Sequence, residues 1–296
     1  MRICVIFNPT ARGEKARRFR HHLDSIRPEC SLKLTQAAGD ARRLAAAAVR
    51  ENFETLVAAG GDGTLNEVLN GIGDEPGGFE RVRLGLLPLG TMNVVAKELG
   101  LPIHPGLAWQ TILRGREQLI DLPCVTYPAN GRPERRYFVQ LAGSGLDARA
   151  IEMTLWPLKK KIGPLAYVVA GLNALLVRPA QITLHVGSEL VTGQLVLVGN
   201  GRFYGGRFAV FPEADRRDGL LEVCVFPRAD WRTLAWCAWP LLTRGLLPAN
   251  VVRRFRSATL RLSAPSTTPF QLDGELAGHL PAAFSVQPRK LRVIVP

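Results

Sequence analysis

The sequence predicts an α/β N-terminal domain, a parallel sheet with helices on both faces, followed by a C-terminal antiparallel β-sandwich. Three observations carry this. Up to about residue 122, short strands that are apolar throughout alternate with helical segments, the pattern of a parallel sheet covered on both sides. Beyond it, strand-like runs divided by Gly and Pro turns dominate. Each glycine-bearing loop of the first part, at 8–13, 60–63 and 88–91, follows a strand. All three should therefore meet at the carboxyl edge of one sheet, where such sheets hold ligands.

The elements follow in order. Residues 3–7 form an apolar strand that begins almost at once, so no signal peptide is expected. A turn over 8–13 leads into a helix over 14–26 and a strand over 31–34. Residues 40–50 are alanine-rich and helical, with Asp40 as N-cap. A strand over 55–59 ends in Gly60-Gly61-Asp62-Gly63-Thr64, and a helix over 65–69 follows. A strand over 84–87 precedes a helix over 91–99, which Gly100 and Pro102 stop. We place the domain boundary near residue 122, giving 1–122 and 123–296. Strands are then expected at 137–141, 181–186, 190–198, 220–226, 258–262, 270–272 and 291–295, with helices near 160–177 and 230–246. Whether the last strand returns to the first domain stays open.

The chain has 296 residues, 47% of them hydrophobic, enough for about two domains with real cores. Its 38 Lys and Arg against 25 Asp and Glu leave a formal charge of +13, a surface that attracts anionic lipid, nucleotide or nucleic acid. Zinc-finger spacing and RNA-binding aromatic signatures are both missing, so nucleic acid is not the expected partner. Five scattered cysteines without a Cys-x-x-Cys suit a reducing cytoplasm, and no His-Glu-x-x-His occurs. The apolar stretch at 164–177 is too short to span a bilayer, and Arg244 interrupts the one at 234–247.

The loop at 60–64 is the most informative stretch. A glycine turn between a strand and a helix N-terminus makes an anion site, because backbone N–H groups face outward and missing side chains let phosphate approach. Asp62 beside a phosphate repels it unless a cation intervenes, which points to Mg²⁺ and phosphoryl transfer. A tight turn with Asp62 as a helix cap is the plainer reading. Gly90-Thr91-Met92-Asn93 is a second such turn, whose Thr91 and Asn93 could equally be caps. Neither a Gly-x-x-x-x-Gly-Lys-Ser/Thr loop nor a protein-kinase signature set occurs. Gly143-Ser144-Gly145-Leu146-Asp147-Ala148 imitates a dinucleotide fingerprint, but no acid-ending strand follows at the required distance. We read it as a turn lining the cleft between the domains. Asp215 and Asp218 lie three apart on a turn that could hold a hard cation or simply be solvated beside two arginines. Asp273-Gly274 is a strong hairpin signal, and its flanking acids could supply the base that an alcohol-phosphorylating enzyme needs.

Taken together these stretches resemble the diacylglycerol kinase and sphingosine kinase family, in its soluble bacterial lipid-kinase branch. The matches are VIFNPTARG at 5–13, GGDGTLNEVLNG at 60–71, LGLLPLGTMNVVAKELGLP at 84–102, LAGSGLDA at 141–148, VGNGRFYGG at 198–206, DGLLEV at 218–223 and LDGE at 272–275. They keep the family's order and span nearly the whole chain. The resemblance implies an active site in the interdomain cleft. It implies that Gly60, Gly61, Asp62, Gly63, Thr64, Leu65 and Asn66 surround ATP, completed by Asn8, Thr10, Thr35, Gly90 and Thr91. It gives Asp62 a role with Mg²⁺ at the phosphates, makes Glu275 the proton acceptor with Asp273 beside it, and assigns a structural Mg²⁺ to Asp215, Asp218 and the Leu220 carbonyl. Val94 stands where the family often has an aspartate, and Arg207 where another glycine is common.

The implied activity is ATP- and Mg²⁺-dependent transfer of a phosphoryl group to diacylglycerol or a related lipid alcohol, in lipid metabolism. The implied location is the cytoplasm, peripheral at the inner membrane face, and a homodimer is compatible with it. An NAD kinase-like small-molecule kinase and a non-catalytic nucleotide or lipid sensor are the alternatives. A lipid hydroxyl lies at the bilayer interface, so the enzyme must dock there. Trp231, Trp236 and Trp239, near Arg228, Arg232 and Arg244, fit an anionic interface. A core helix packed on the β-domain fits the same residues.

Overall fold

A computed structural model describes residues 2–9, 29–153, 179–206, 208–244 and 246–296. The chain divides into two units, one of residues 1–122, 137–139 and 287–296, the other of 123–136 and 140–286. The helices expected over 14–26 and 160–177, and Thr10, lie outside the described residues.

In the first unit, β1 (Ile3–Phe7), β2 (Ser31–Leu34), β3 (Thr55–Gly60), β4 (Arg83–Pro88) and the end of β16 (Ala282–Val295) form a sheet in the order β2-β1-β3-β4-β16, with parallel pairs throughout. Alternation sorts its side chains. Cys4, Ile6, Leu56, Ala58 and Leu84 pack with α1 (Asp40–Arg50) and α2 (Asp62–Gly73). Ile3, Val5, Phe7, Val57 and Ala59 pack with α5 (Pro105–Arg114). Burial on both faces is why these strands read as unbroken apolar runs. Two further short helices, α3 (Gly78–Arg81) and α4 (Val94–Glu98), flank β4 in sequence.

In the second unit, a six-stranded sheet runs β12-β11-β10-β7-β14-β15, where β7 is Leu141–Gly145, β10 Leu195–Gly199, β11 Leu221–Phe226, β12 Arg253–Ser257, β14 Pro269–Leu272 and β15 Glu275–His279. Its pairs are antiparallel. A short helix, α6 (Leu146–Glu152), leaves the end of β7 directly. A second set of strands contains β8 (Ile182–Val186), β9 (Glu189–Gly193), β13 (Thr259–Ser263) and the start of β16. The strands β5 (Arg116–Ala129) and β6 (Arg132–Tyr137) pair with each other, and β5 also pairs with β16. Between the two sets of strands, Phe270 meets Tyr127 and Phe284 edge-on, with ring centroids 5.0 and 6.1 Å apart.

Several expectations change. The run 190–198 is two strands, not one. Gln194 donates its backbone N–H to Phe226 and accepts the Ala229 N–H on its side chain. That anchors a bend which sends β9 and β10 to different sheets. The expected strand at 137–141 is the end of β6 and the start of β7. The helix expected over 91–99 starts only at Val94, because Asn93 sits at φ +48. Asp40 is not an N-cap. It is the first helical residue, after a left-handed Gly39, and its Oδ2 accepts the N–H groups of Gln36 and Ala37 at 2.8 and 3.0 Å. Those bonds, with Arg43, hold its carboxyl below the usual carboxylate range.

All five cysteines are free thiols. Burial pushes Cys4 and Cys224 up to about 12, so neither serves as a nucleophile at neutral pH. Among the described residues no helix is long and apolar enough to cross a membrane.

Candidate active site

The carboxyl ends of β1, β3 and β4 gather most of the residues expected around a nucleotide. Asn8 follows β1; its N–H bonds the Ala59 carbonyl at 3.0 Å and its Nδ2 the Thr64 hydroxyl at 3.4 Å. Thr35, buried just after β2, donates its N–H to Phe7 at 3.0 Å. The two glycine loops are fused backbone to backbone. Leu89 and Gly90 both donate to the Gly60 carbonyl, at 2.9 and 3.2 Å. A Cβ on Gly90 would collide with the Gly61 Cα, and one on Gly60 with the Thr64 hydroxyl. Asn93 staples the second loop, accepting the Gly90 N–H at 3.0 Å and donating to the Pro88 and Gly90 carbonyls. Thr91 is exposed on the same loop.

Asp62 opens α2, and its Oδ1 accepts the Val94 N–H at 2.9 Å. The carboxylate thus ties the first loop to the start of α4 through a main-chain donor that any residue except proline supplies. The valine at 94 keeps that link. Two residues expected at the nucleotide also have structural partners. The Leu65 side chain belongs to the core. Asn66 is buried and, with Asn70, holds the Tyr137 backbone: Asn66 Nδ2 and Asn70 Nδ2 donate to the Tyr137 carbonyl at 3.3 and 3.0 Å, and Asn70 Oδ1 accepts its N–H at 2.9 Å.

In the second unit, Leu272 and Glu275 close a two-residue hairpin whose tip, Asp273 at φ +50 and Gly274 at φ +91, has the left-handed geometry of a type I′ turn. Glu275 is exposed. Asp273 is not a spare carboxylate. Its Oδ1 accepts the N–H groups of Gln140 and Leu141 at 2.8 and 3.1 Å, and its own N–H donates to Leu141 at 2.8 Å.

A family model for the diacylglycerol kinase catalytic domain matches residues 2–125, and one for the YegS C-terminal NAD kinase beta sandwich-like domain matches 140–295. The chain is 31% identical to a diacylglycerol kinase of Staphylococcus saprophyticus over 99% of this chain and 94% of that one. It belongs to the diacylglycerol kinase family. A diacylglycerol kinase of Bacillus subtilis is 29% identical over 99% of this chain and 95% of its own length. A crystal structure of a Bacillus anthracis diacylglycerol kinase superposes with a TM-score of 0.72 at 18% identity, covering 100% of this chain and 97% of that one. That likeness supports the two-domain fold. As a member of the diacylglycerol kinase family, the chain is a lipid kinase.

Two places are expected to hold Mg²⁺. Mg²⁺ is usually held by one or two carboxylates plus substrate phosphates, and Asp62 on a glycine loop fits that arrangement. At the turn 215–220 both carboxylates have partners of their own. Asp218 Oδ1 accepts the Leu220 N–H at 2.8 Å while its Oδ2 pairs with Arg256. Asp215 accepts the Arg217 N–H at 3.0 Å, with that guanidinium 3.7 Å away. A cation taking Asp218 Oδ2 would have to displace Arg256. Each carboxylate of the turn expected to hold a structural Mg²⁺ with the Leu220 carbonyl is thus paired with an arginine. Among the described residues no group of three His, Cys, Asp or Glu could hold a metal.

Nothing in the sequence signals what Asp147 does at the start of α6. One of its carboxylate oxygens accepts the Tyr204 hydroxyl, and the other accepts Gln271 Nε2 at 2.8 Å. Desolvation raises its pKa, against the pull of those two donors.

The tryptophan helix, α7 (Trp231–Arg244), has two unlike faces. Cys237 and Leu241 pack into the core of the second unit. Trp231, Trp236 and Trp239 are 64%, 61% and 74% exposed. Arg232 stacks over Trp231 at 5.3 Å, and Arg228 is exposed just before the helix.

Proposed function

We propose that this lipid kinase transfers the γ-phosphoryl group of ATP to the hydroxyl of diacylglycerol or a related lipid alcohol, such as a sphingoid base, ceramide, acylglycerol or phosphatidylglycerol. The observation that carries the reading is the backbone fusion of the two glycine loops, Gly61 against Gly90, at the ends of β3 and β4. It supports an anion cradle of main-chain amides at the start of α2, where the helix dipole adds positive character. Asn8, Thr35, Thr64 and Thr91 are the polar groups proposed to complete it. Asp62 is the residue proposed to hold Mg²⁺ with the nucleotide. When bound, that ion neutralises charge on the phosphates.

Glu275 is the residue proposed as the base. As the acceptor oxygen bonds to the γ-phosphorus and the bond to ADP breaks, the hydroxyl proton passes to the Glu275 carboxylate. Asp273, bonded to two amides through Oδ1, orients the hairpin.

The direct test incubates the protein with γ-labelled ATP, Mg²⁺ and either dioleoylglycerol in mixed micelles, total lipid extract, or NAD. Label is expected in the lipid arms. Label in NAD alone would mean a small-molecule kinase. ATP binding with no labelled product would mean a sensor.

The lipid must be reached at a surface, and the outward tryptophans of α7 support docking on an anionic bilayer. Indole rings favour the interface and arginines favour its headgroups. We expect binding to phosphatidylglycerol vesicles to weaken with salt. Trp236→Ala/Trp239→Ala should weaken it at least about tenfold and leave turnover of a soluble short-chain diacylglycerol intact. If the double variant instead changes only the oligomeric state, the face is a dimer contact and the docking reading fails.

A further inference from the structure

The stretches LAGSGLDA, VGNGRFYGG and LDGE look unrelated in sequence, yet they meet in one chain of hydrogen bonds within the second unit. Tyr204 donates its hydroxyl to Asp147. The other oxygen of Asp147 accepts Gln271 Nε2 at 2.8 Å. Gln271 Oε1 in turn accepts the Gly274 N–H at 2.7 Å, one residue before Glu275. The direction of this chain is fixed. A main-chain N–H can only donate, so the Gln271 oxygen must face Gly274 and its NH₂ must face Asp147, which therefore has to accept.

The sequence makes room for this link. Gly143 lies opposite Gln271 in the β7–β14 pair, and a Cβ on it would overlap the Asp147 carboxylate. Ser144 ties the same two strands with a hydroxyl bond to the Pro269 carbonyl at 2.9 Å. The glycine that imitates a dinucleotide fingerprint is thus the space into which a carboxylate fits.

We propose that Asp147, acting through Gln271, is a positioning residue that sets the Gly274–Glu275 turn and so aims the proton acceptor. The catalytic part of this proposal rests on Glu275 being the base; the hydrogen-bond link does not.

The test exchanges amide and carboxylate. In Gln271→Glu two carboxylates face each other. Their repulsion should loosen the turn, lowering kcat by about 10–100-fold while the KM for ATP stays within about twofold, with activity relative to the parent recovering as pH falls and the two acids share a proton. Adding Asp147→Asn restores the complementarity. The new amide at position 147 donates its NH₂ to the new carboxylate at position 271 and accepts the Tyr204 hydroxyl on its oxygen, while the carboxylate still accepts the Gly274 N–H. The double variant should regain at least about tenfold in kcat over the single one. Hydrogen exchange at the Gly274 amide should quicken in Gln271→Glu and slow again in the double variant.

Unchanged Gly274 exchange in Gln271→Glu, or a double variant no better than the single, overturns the positioning role. Should Gln271→Glu fail to fold, Tyr204→Phe carries the test. It removes one of Asp147's two donors and should quicken Gly274 exchange severalfold, and unchanged exchange again overturns the link. Glu275→Gln is measured in the same series. If it keeps its turnover, the base assignment fails, while the exchange measurements still decide the link.

Discussion

Glu275→Gln is expected to lower turnover by about 10²–10⁴-fold, the usual contribution of a positioned general base. The change keeps the side chain's size and removes only its capacity to take a proton. Glu275 is exposed at the start of β15, where an isosteric amide changes no buried packing. The turn before it is fixed by Asp273 and Gly274, whose positive φ values do not depend on residue 275. Stability should therefore shift by less than about 0.5 kcal/mol, as for most surface substitutions. ATP affinity by calorimetry should match the parent's. Steady-state kinetics with dioleoylglycerol micelles supply the decisive number. Turnover within about tenfold of the parent would remove Glu275 from the chemistry and leave the proton acceptor to be sought elsewhere.

Gly90→Val should abolish nucleotide binding for a steric reason that begins in the main chain. The added Cβ collides with the Gly61 Cα and lies 3.2 Å from the Gly61 nitrogen. Neither atom can swing aside as a long side chain would. The loops must separate, and the bonds from Leu89 and Gly90 to the Gly60 carbonyl go with them. Asn93 loses its grip as well, since its Oδ1 lies 2.9 Å from the same Cβ. We expect ATP affinity to fall by about 100-fold or more, equivalent to about 2.7 kcal/mol. Overpacking should take about 1–3 kcal/mol from global stability. Calorimetric titration beside denaturant unfolding separates the two effects. A folded Gly90→Val protein that binds ATP within a fewfold of the parent would show that the two loops do not act as one cradle.

What the sequence discloses follows from where its signals are strong. Strands β1, β3 and β4 are apolar on both faces and bounded by glycine or polar turns, so period and punctuation agree. At 190–198 the same apolar character conceals a change of sheet, because both halves carry buried residues and only Gln194 marks the bend. The first half of β5 carries Arg116, Glu117 and Gln118, which read as loop, and its pairing partner β16 is far away in sequence. Helix α5 hides behind Pro105-Gly106, although proline at the first turn is a regular start. At the candidate site the glycine loops are legible because their function is carried by backbone. The tasks of Asn66, Asp273 and Asp147 are not, since each depends on a partner from a distant stretch of chain. The tryptophan helix allows two readings in sequence, and the exposure of its rings settles that they face outward.

Strand β16 dictates the order in which the protein is completed. Its residues 287–295 finish the first unit beside β4, while 282–286 belong to the second. In sequence the second unit, interrupted only by 137–139, is therefore inserted between residue 122 and the strand that pairs with β4. During vectorial synthesis on the ribosome, β4 emerges early and waits with open hydrogen-bonding groups until the codons for 287–295 are read. The first-born half of this chain is the last to be finished.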